Sequence, residues 1–284
     1  MSFKRVVIGA ALLVALFVAF LGMRKAPNDM AFLGILSVVV AGGLYEFYGL
    51  MEKMDARPYK GPYKALGIVF SVAVIFCWSS MVRGTYELLQ HLYLLFAFIV
   101  LLFVWQALSK KTQIKDAAAT AIGFFYLWIF WLCLAIVYQN PWFGLPAVAV
   151  TVFSVKIGDI AAYFSGRAIG KHKLIPRISP KKSIEGTVFG IAACMAVVLF
   201  MVRLLLKSSL NFSQWSHWEA IIFGCSLGVM GLLGDLAESA IKRQAKVKDS
   251  SRLFGDMGGV LDLIDSLIFA APTAYFLLVL MRKV

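Results

Sequence analysis

Long apolar runs, separated by short polar segments, make up most of this chain. A run of about 20 residues is long enough to cross the hydrocarbon core of a bilayer as a helix. Six prolines fall between the runs, where they would end helices. The pattern therefore predicts nine membrane-spanning helices, over residues 5–23, 30–51, 64–81, 88–108, 117–138, 143–165, 185–206, 217–241 and 260–281.

The composition agrees with a membrane protein. Hydrophobic residues make up 61% of the 284 positions, whereas soluble domains average roughly 45–50%. We therefore predict an all-α, polytopic integral membrane protein. Residues 1–115 form helices without a recognisable motif, whereas residues 116–284 carry the polar motifs and two basic loops, 166–184 and 242–259.

The basic residues predict how the chain is oriented. Nine spans place the termini on opposite sides, and 20 of the 28 Lys and Arg residues fall on the N-terminal side. The positive-inside rule then places the N-terminus and both basic loops in the cytoplasm, as in a bacterial inner membrane or a plasma membrane. No small-residue cleavage site follows the first run, so we expect it to be retained as a helix.

The net charge of +13 is a second guide to partners. Basic clusters beside membrane spans usually serve anionic lipid headgroups, orientation or phosphate ligands. No other feature of the sequence supports nucleic-acid binding. The four cysteines lie inside apolar runs without a CxxC pair, which predicts small core residues rather than a zinc site.

Several carboxylates interrupt the apolar runs of the second half, where a charge is costly unless it is paired or bound to a cation. Spacings of three residues place two of them on one face of each of the last two helices. A group of facing acids needs a cation, and Mg²⁺ prefers carboxylate oxygens. Alternatively, these acids form ion pairs with Lys156, Lys242 or Arg243. The acids are Asp159, Asp235, Glu238, Asp262 and Asp265.

The two basic loops flank these acids. Membrane topology alone would explain a basic loop, but acids for a divalent cation beside cations for phosphate are what phosphoryl and nucleotidyl transfer require. A further acid, Glu46, lies in the second predicted span. We interpret it as a hydrogen-bonded structural acid or an interfacial one.

Two motifs then resemble a known family, phosphatidate cytidylyltransferase, over about residues 143–275. The first motif is Ser239-x-x-Lys242-Arg243-x4-Lys248-Asp249-x-Ser251-x-x-Phe254-x-x-x-Gly258-Gly259-x-x-Asp262-x-x-Asp265. The second is Asp159-x-x-Ala162-Tyr163-x-x-Gly166-Arg167-x-x-Gly170-Lys171, followed by Ile178-Ser179-Pro180-Lys181-Lys182-Ser183-x-Glu185-Gly186. The first motif is long and has many fixed polar positions, which makes it highly specific.

The resemblance implies an all-helical membrane fold, a homodimer and a polar cavity open to the cytoplasm and to lipid. It also implies a divalent cation and an enzyme that joins CTP to phosphatidic acid, giving CDP-diacylglycerol and pyrophosphate. We expect Asp235, Asp262 and Asp265 to be catalytic and to hold magnesium, with the number of cations left open. Asp159 and Glu238 are secondary candidates.

Further residues are candidates for binding the substrates. Cationic side chains would hold phosphates, two polar residues would shape the loops, and a glycine pair would let the backbone approach a ligand. The cations are Arg177, Lys182, Lys242, Arg243 and Lys248, the loop residues are Ser179 and Asp249, and the pair is Gly258 and Gly259.

The sequence also departs from the family pattern. Gly255-Asp256-Met257 replaces the usual Pro-Gly-His, and Leu263 replaces the usual Arg after the first aspartate. An acid or base role for that histidine therefore cannot be assigned here.

Other functions remain open at this point. An ion- or proton-coupled transporter would also place charges within spans, and a CTP-dependent polyprenol kinase would share the phosphate chemistry. The pattern of CDP-alcohol phosphotransferases is absent, since Leu236 and Ala237 follow Asp235.

Overall fold

The computed structural model describes residues 30–54, 87–108, 113–140, 144–205, 215–251, 253, 255 and 258–281. These residues form seven α-helices and one short β-hairpin. The elements, in chain order, are α1 (Met30–Lys53), α2 (Glu87–Leu108), α3 (Ile114–Gln139), α4 (Gly144–Ile169), β1 (Lys173–Ile175), β2 (Ser179–Ser183), α5 (Ile184–Phe200), α6 (His217–Gln244) and α7 (Val260–Leu280). A short π-helical segment, Met201–Leu205, continues α5.

Six of the described helices, α1 and α3 to α7, are long and apolar enough to cross a membrane. The prediction of an all-α, polytopic membrane protein is therefore confirmed. The predicted spans 5–23 and 64–81 lie outside the described residues, so the total of nine spans and the side of the N-terminus stay predictions.

The segment 166–184 differs from the loop that the sequence predicts. Helix α4 continues to Ile169, and the chain then forms an antiparallel hairpin in which Lys173 pairs with Ser183 and Ile175 with Ser179. The hairpin leads directly into α5, whose first turn is capped because Ser183 Oγ accepts a hydrogen bond from Gly186 N at 3.1 Å. The predicted loop thus contains two strands: Pro176 lies in the turn between them, and Pro180 lies within β2.

Small residues bring α4 and α5 close together. A Cβ atom on Gly186 would lie 2.7 Å from the carbonyl oxygen of Ala162, and one on Gly190 would lie 2.7 Å from Ala162 Cβ. On each helix the small residues recur every fourth position, which is the spacing that lets membrane helices approach at their backbones. The hairpin between these helices therefore rests on a tightly packed base.

Helix α7 lies at the centre of the bundle and packs against α1, α3, α4 and α6. Its contact with α6 is close, since a Cβ atom on Gly234 would lie 2.5 Å from the carbonyl oxygen of Asp265. The helix also continues through Pro272, which the rule that proline ends a span would not anticipate. The acids of α4, α6 and α7 are thus carried by three helices that contact one another.

The helices before the motifs share this core. Leu44 of α1, Leu127 of α3 and Ile264 of α7 belong to one cluster of buried side chains. Helix α2 contributes a smaller cluster, in which Phe98 stacks on Phe124 with ring centroids 4.0 Å apart. The division of the chain at residue 115 stays a prediction.

Candidate active site

The intramembrane acids form two groups of ion pairs. We call Asp159, Asp235, Asp265, Lys156 and Lys182 the open cluster, because its side chains are between 14% and 38% exposed. We call Glu46, Glu238, Asp262, Lys242 and Ser250 the closed cluster, because all five residues are largely buried; the side chains of its ion pairs are at most 10% exposed. Each pair of acids spaced three apart is divided between the two clusters, which sequence spacing alone does not reveal.

In the open cluster, Lys156 of α4 links two aspartates. Its Nζ lies 3.5 Å from Asp159 Oδ2 and 3.7 Å from Asp265 Oδ1, and it donates a 2.7 Å hydrogen bond to Ser266 Oγ. Ser266 in turn donates to Asp159 Oδ2 at 2.8 Å. This network joins α4 to α7, as expected for a lysine whose charge must be paired inside a membrane.

The hairpin completes the open cluster. Strand β2 places Lys182 Nζ 2.5 Å from Asp235 Oδ2, and Ser239 Oγ donates to Asp235 Oδ1 at 3.2 Å. The side chains of Lys182 and Asp235 are 23% and 27% exposed. An ion pair with this much access to solvent has room to exchange partners with a ligand.

In the closed cluster, Lys242 lies between two carboxylates. It forms an ion pair with Glu238 one turn earlier on α6, and its Nζ lies 2.5 Å from Asp262 Oδ1. Glu238 is fully buried, and its Oε1 accepts no hydrogen bond from the described residues. Removing Lys242 would therefore leave buried carboxylates uncompensated, which is strongly unfavourable.

Asp262 also caps the start of α7. Its Oδ2 accepts hydrogen bonds from Ser250 N at 2.9 Å, Ser250 Oγ at 2.6 Å and Gly259 N at 2.8 Å. The preceding Gly258 has a φ of +92°, a conformation that favours glycine. The glycine pair thus serves the turn into α7, and Asp262 is the residue that fixes this turn.

Glu46 of α1 meets the same turn from the other side. Its carboxylate accepts hydrogen bonds from Ser250 Oγ at 2.8 Å, Ser251 Oγ at 2.6 Å, Val260 N at 3.0 Å and Leu261 N at 2.8 Å. The prediction of a hydrogen-bonded acid at this position is confirmed. Glu46 contacts the motif-bearing loop although the two are 204 residues apart in sequence. The only sign of Glu46 in the sequence is that it is a charged residue within an apolar run.

The basic loops are joined to each other by Arg243. Its Nε donates to the carbonyl oxygen of Ile178 at 3.2 Å, in the hairpin turn, and its Nη1 donates to that of Val247 at 3.3 Å. Arg243 was one of three cations that the sequence offered as partners for the acids, and its described hydrogen bonds go to backbone oxygens instead. The ion pairs predicted with the other two, Lys156 and Lys242, do form. Lys182 is an ion-pair partner of Asp235 that the sequence alternative did not include.

The remaining candidates lie around these clusters. Arg177 is exposed on the hairpin turn, and Ser179 begins β2. After α6, Lys246 adopts a φ of +56°, which turns the chain toward exposed Lys248 and half-buried Asp249. Leu263 is partly buried on α7, whereas Asp256 and Met257 lie outside the described residues.

A magnesium ion suits these residues in chemistry and charge. The two clusters contain six carboxyl groups and three ammonium groups, so carboxyl groups outnumber the ammonium groups that pair with them. Among the residues that the structure describes, no three acid, histidine or cysteine side chains form a ready metal-binding group. This arrangement still fits Mg²⁺, which usually takes one or two carboxylates together with substrate phosphates and water.

Fold and site together define a class: a polytopic membrane protein whose buried acids lie beside cations suited to phosphate. A model of the cytidylyltransferase family matches residues 3–281. The chain belongs to this family.

Individual relatives agree with the family match. A phosphatidate cytidylyltransferase of Chlamydia pneumoniae is 30% identical, over 99% of this chain and 93% of the relative. Another, of Staphylococcus saprophyticus, is 31% identical over 90% of this chain and 98% of the relative. A third, of Brucella suis, is 38% identical over 60% of each chain. The family match favours a cytidylyltransferase over the transporter and kinase alternatives.

Proposed function

We propose that this protein is a phosphatidate cytidylyltransferase, which transfers the cytidylyl group of CTP to phosphatidic acid. The observation that carries the proposal is the family match along nearly the whole chain, together with relatives of that name. The open cluster supports it, because the partly exposed side chains of Lys182, on the basic hairpin, and Asp235 lie together.

The reaction needs no strong base. A phosphate oxygen of phosphatidic acid, already an anion, forms a bond to the α-phosphorus of CTP. The bond from that phosphorus to the oxygen bridging it to the β-phosphorus breaks, and pyrophosphate leaves. The absence of histidine at position 257 is compatible with this chemistry.

Magnesium forms part of the proposal, with Asp235 and Asp265 as ligands. When bound, the ion would neutralise charge on the phosphates of CTP and on the leaving pyrophosphate. Asp262 would have to release Lys242 from its Oδ1 before joining them. Asp159 lies beside the pair through the network of Lys156 and Ser266, and the number of cations is left open.

The cations of both loops would bind the anionic parts of the substrates. Lys182 and Lys242 now contact carboxylates, so each would turn from a carboxylate to a phosphate oxygen when substrate binds. Arg177 and Lys248 are exposed to solvent, where an anionic substrate can reach them. Arg243, Ser179 and Asp249 would maintain the shape of the loops, as the bonds from Arg243 to two carbonyl oxygens already indicate.

The purified protein in detergent tests the proposed reaction. With radiolabelled CTP, phosphatidic acid and Mg²⁺, it should form labelled CDP-diacylglycerol and an equal amount of pyrophosphate, and EDTA should stop both. A lipid kinase would release CDP without pyrophosphate. Uptake of solute by sealed vesicles without turnover of CTP would instead indicate a transporter.

A homodimer is part of the proposal because the family resemblance implies one. Light scattering of the purified protein, corrected for bound detergent, should give twice the mass of the 31.4 kDa chain. A single-chain mass at working concentrations would contradict this.

We also propose that the hairpin and the 242–259 loop face the cytoplasm, because most Lys and Arg residues lie on that side of the predicted topology. Exposed Lys181 on β2 offers a labelling position. After Lys181→Cys, an impermeant maleimide should label the protein in inverted inner-membrane vesicles but not in intact cells. The opposite result would reverse the orientation.

A further inference from the structure

Glu46 is the one acid of the two clusters that lies outside the region of family resemblance, about residues 143–275. It is 5% exposed and sits in α1, among the helices to which the sequence assigns no role. All of its described hydrogen bonds come from the motif-bearing loop and from the start of α7. A buried carboxylate used in this way cannot be explained by packing within α1.

The four donors to Glu46 form two types of contact. The first residues of a helix have backbone N–H groups without intrahelical partners, and Glu46 accepts two of these, from Val260 and Leu261. The two hydroxyl donors, Ser250 and Ser251, belong to the loop. One carboxylate therefore fixes the loop and the helix that follows it in a single arrangement.

The same loop is held from the other side by Asp262. Ser250 Oγ contacts both Glu46 Oε2, at 2.8 Å, and Asp262 Oδ2, at 2.6 Å. Asp262 in turn contacts Lys242 at 2.5 Å. The chain of contacts thus runs from α1 to the lysine that we expect to bind phosphate. There is also little spare room, because a Cβ atom on Gly259 would overlap the Glu46 carboxylate.

We propose that Glu46 is a positioning residue for cytidylyl transfer: it holds Ser250, Ser251 and the start of α7 so that Lys242, Lys248 and Asp262 keep their places. This inference rests on the proposed function but concerns a different residue and helix. Its helix, α1, would act as a support for the substrate-binding loop.

Two substitutions test the positioning role. Glu46→Gln keeps the size of the side chain but places an NH₂ group opposite one of the two backbone N–H donors, whereas Glu46→Ala removes all four contacts. We expect kcat to fall about tenfold in the first variant and about 100-fold in the second, because small displacements of a positioned group have effects of this order. Glu52→Gln, on an exposed position of the same helix, should stay within about twofold of the wild type, as surface substitutions usually have small effects.

Hydrogen exchange measured by mass spectrometry provides a readout independent of turnover. In Glu46→Ala, amides of the loop and of Val260 and Leu261 should exchange faster, while those of α4 and α5 keep the wild-type rate. Faster exchange throughout the protein would mean that Glu46 serves only global stability, and would overturn the proposal. Wild-type exchange at 260 and 261, or near-normal kcat in Glu46→Ala, would also overturn it.

The two levels of inference can fail separately. If the wild-type protein forms no CDP-diacylglycerol, the proposed reaction fails. The exchange experiment still decides whether Glu46 holds the loop. Suppose instead that the wild type is active and that Glu46→Ala speeds exchange only in the loop and at 260 and 261, but leaves kcat unchanged. Glu46 then holds the loop without affecting turnover, and the positioning role is wrong.

Discussion

The open and closed clusters use the same chemical groups in different ways. Each contains an ion pair between an aspartate and a lysine, one of them on α6. The nitrogen and oxygen atoms are 2.5 Å apart both in the pair of Lys182 and Asp235 and in the pair of Lys242 and Asp262. In the open cluster Asp235 is 27% exposed, whereas Asp262 in the closed cluster is 10% exposed. Asp262 also accepts three further hydrogen bonds, while Asp235 accepts one, from Ser239.

We interpret the open cluster as a site that can exchange ligands, and the closed cluster as the structure that holds this site in place. A partly exposed ion pair contributes little to stability, so the pair of Lys182 and Asp235 can open at small cost. Breaking a buried pair by removing one partner leaves an uncompensated charge and costs several kcal/mol. Substitutions of Lys182 or Asp235 should therefore affect turnover alone, whereas substitutions in the closed cluster should affect both stability and turnover.

The largest expected effect on turnover belongs to Asp235. Asp235→Asn should lower kcat on the order of 100- to 1,000-fold, as expected when one preorganised electrostatic group of an active site is lost. The thermal midpoint in detergent should change little, because the carboxylate is partly exposed. Turnover is measured as CDP-diacylglycerol formed, and unfolding by tryptophan fluorescence. Near-normal turnover would remove Asp235 from the site.

Asp262→Asn should combine two effects. The amide can still cap α7, but it no longer compensates Lys242, so we expect unfolding to become easier by about 3 kcal/mol, together with a loss of turnover. Asp116→Asn is the matched control, because Asp116 Oδ2 also caps a helix, accepting from Gln113 N at 2.9 Å. The control should keep its turnover. If Asp262→Asn lost turnover without any loss of stability, the distinction between the clusters would be wrong.

The sequence predicts much of this arrangement but not its division into two clusters. Helices and their order follow from apolar runs of spanning length, and the acids stand out because charges are rare there. A spacing of three residues places Asp262 and Asp265 on one face. It does not show that one caps a turn and the other meets Lys156, since that depends on the loop of Ser250 and on α4.

The contacts that sequence reasoning missed are long-range. Lys182 reaches Asp235 only because the segment after α4 folds as a hairpin. Glu46 reaches Val260 only because α1 packs against α7. Neither contact has a local pattern, and a single sequence carries no covariation that would reveal them.

Lys182 tests whether the open cluster exchanges a carboxylate for a phosphate. Lys182→Met should raise the KM for one of the two substrates about 10- to 100-fold, corresponding to loss of a charge-assisted hydrogen bond. Lys181→Met is the matched control: successive strand residues point to opposite faces, and Lys181 is exposed. Its KM values should change less than about threefold, as for an ordinary surface substitution. Equal effects in both variants would indicate attraction by general charge rather than a specific contact.

The smallest expected effect concerns Ser239, which orients Asp235 through a 3.2 Å hydrogen bond. Ser239→Ala should lower kcat/KM about fivefold, because a single neutral donor to a carboxylate contributes roughly 1 kcal/mol. Ser165→Ala removes a hydroxyl of α4 that bonds carbonyl oxygens of its own helix, and its kcat/KM should stay at the wild-type value. Adding Ser239→Ala to Asp235→Asn should cause no further loss, since the hydroxyl acts through that carboxylate. A full additional fivefold loss in the double variant would show that Ser239 contacts the substrate itself.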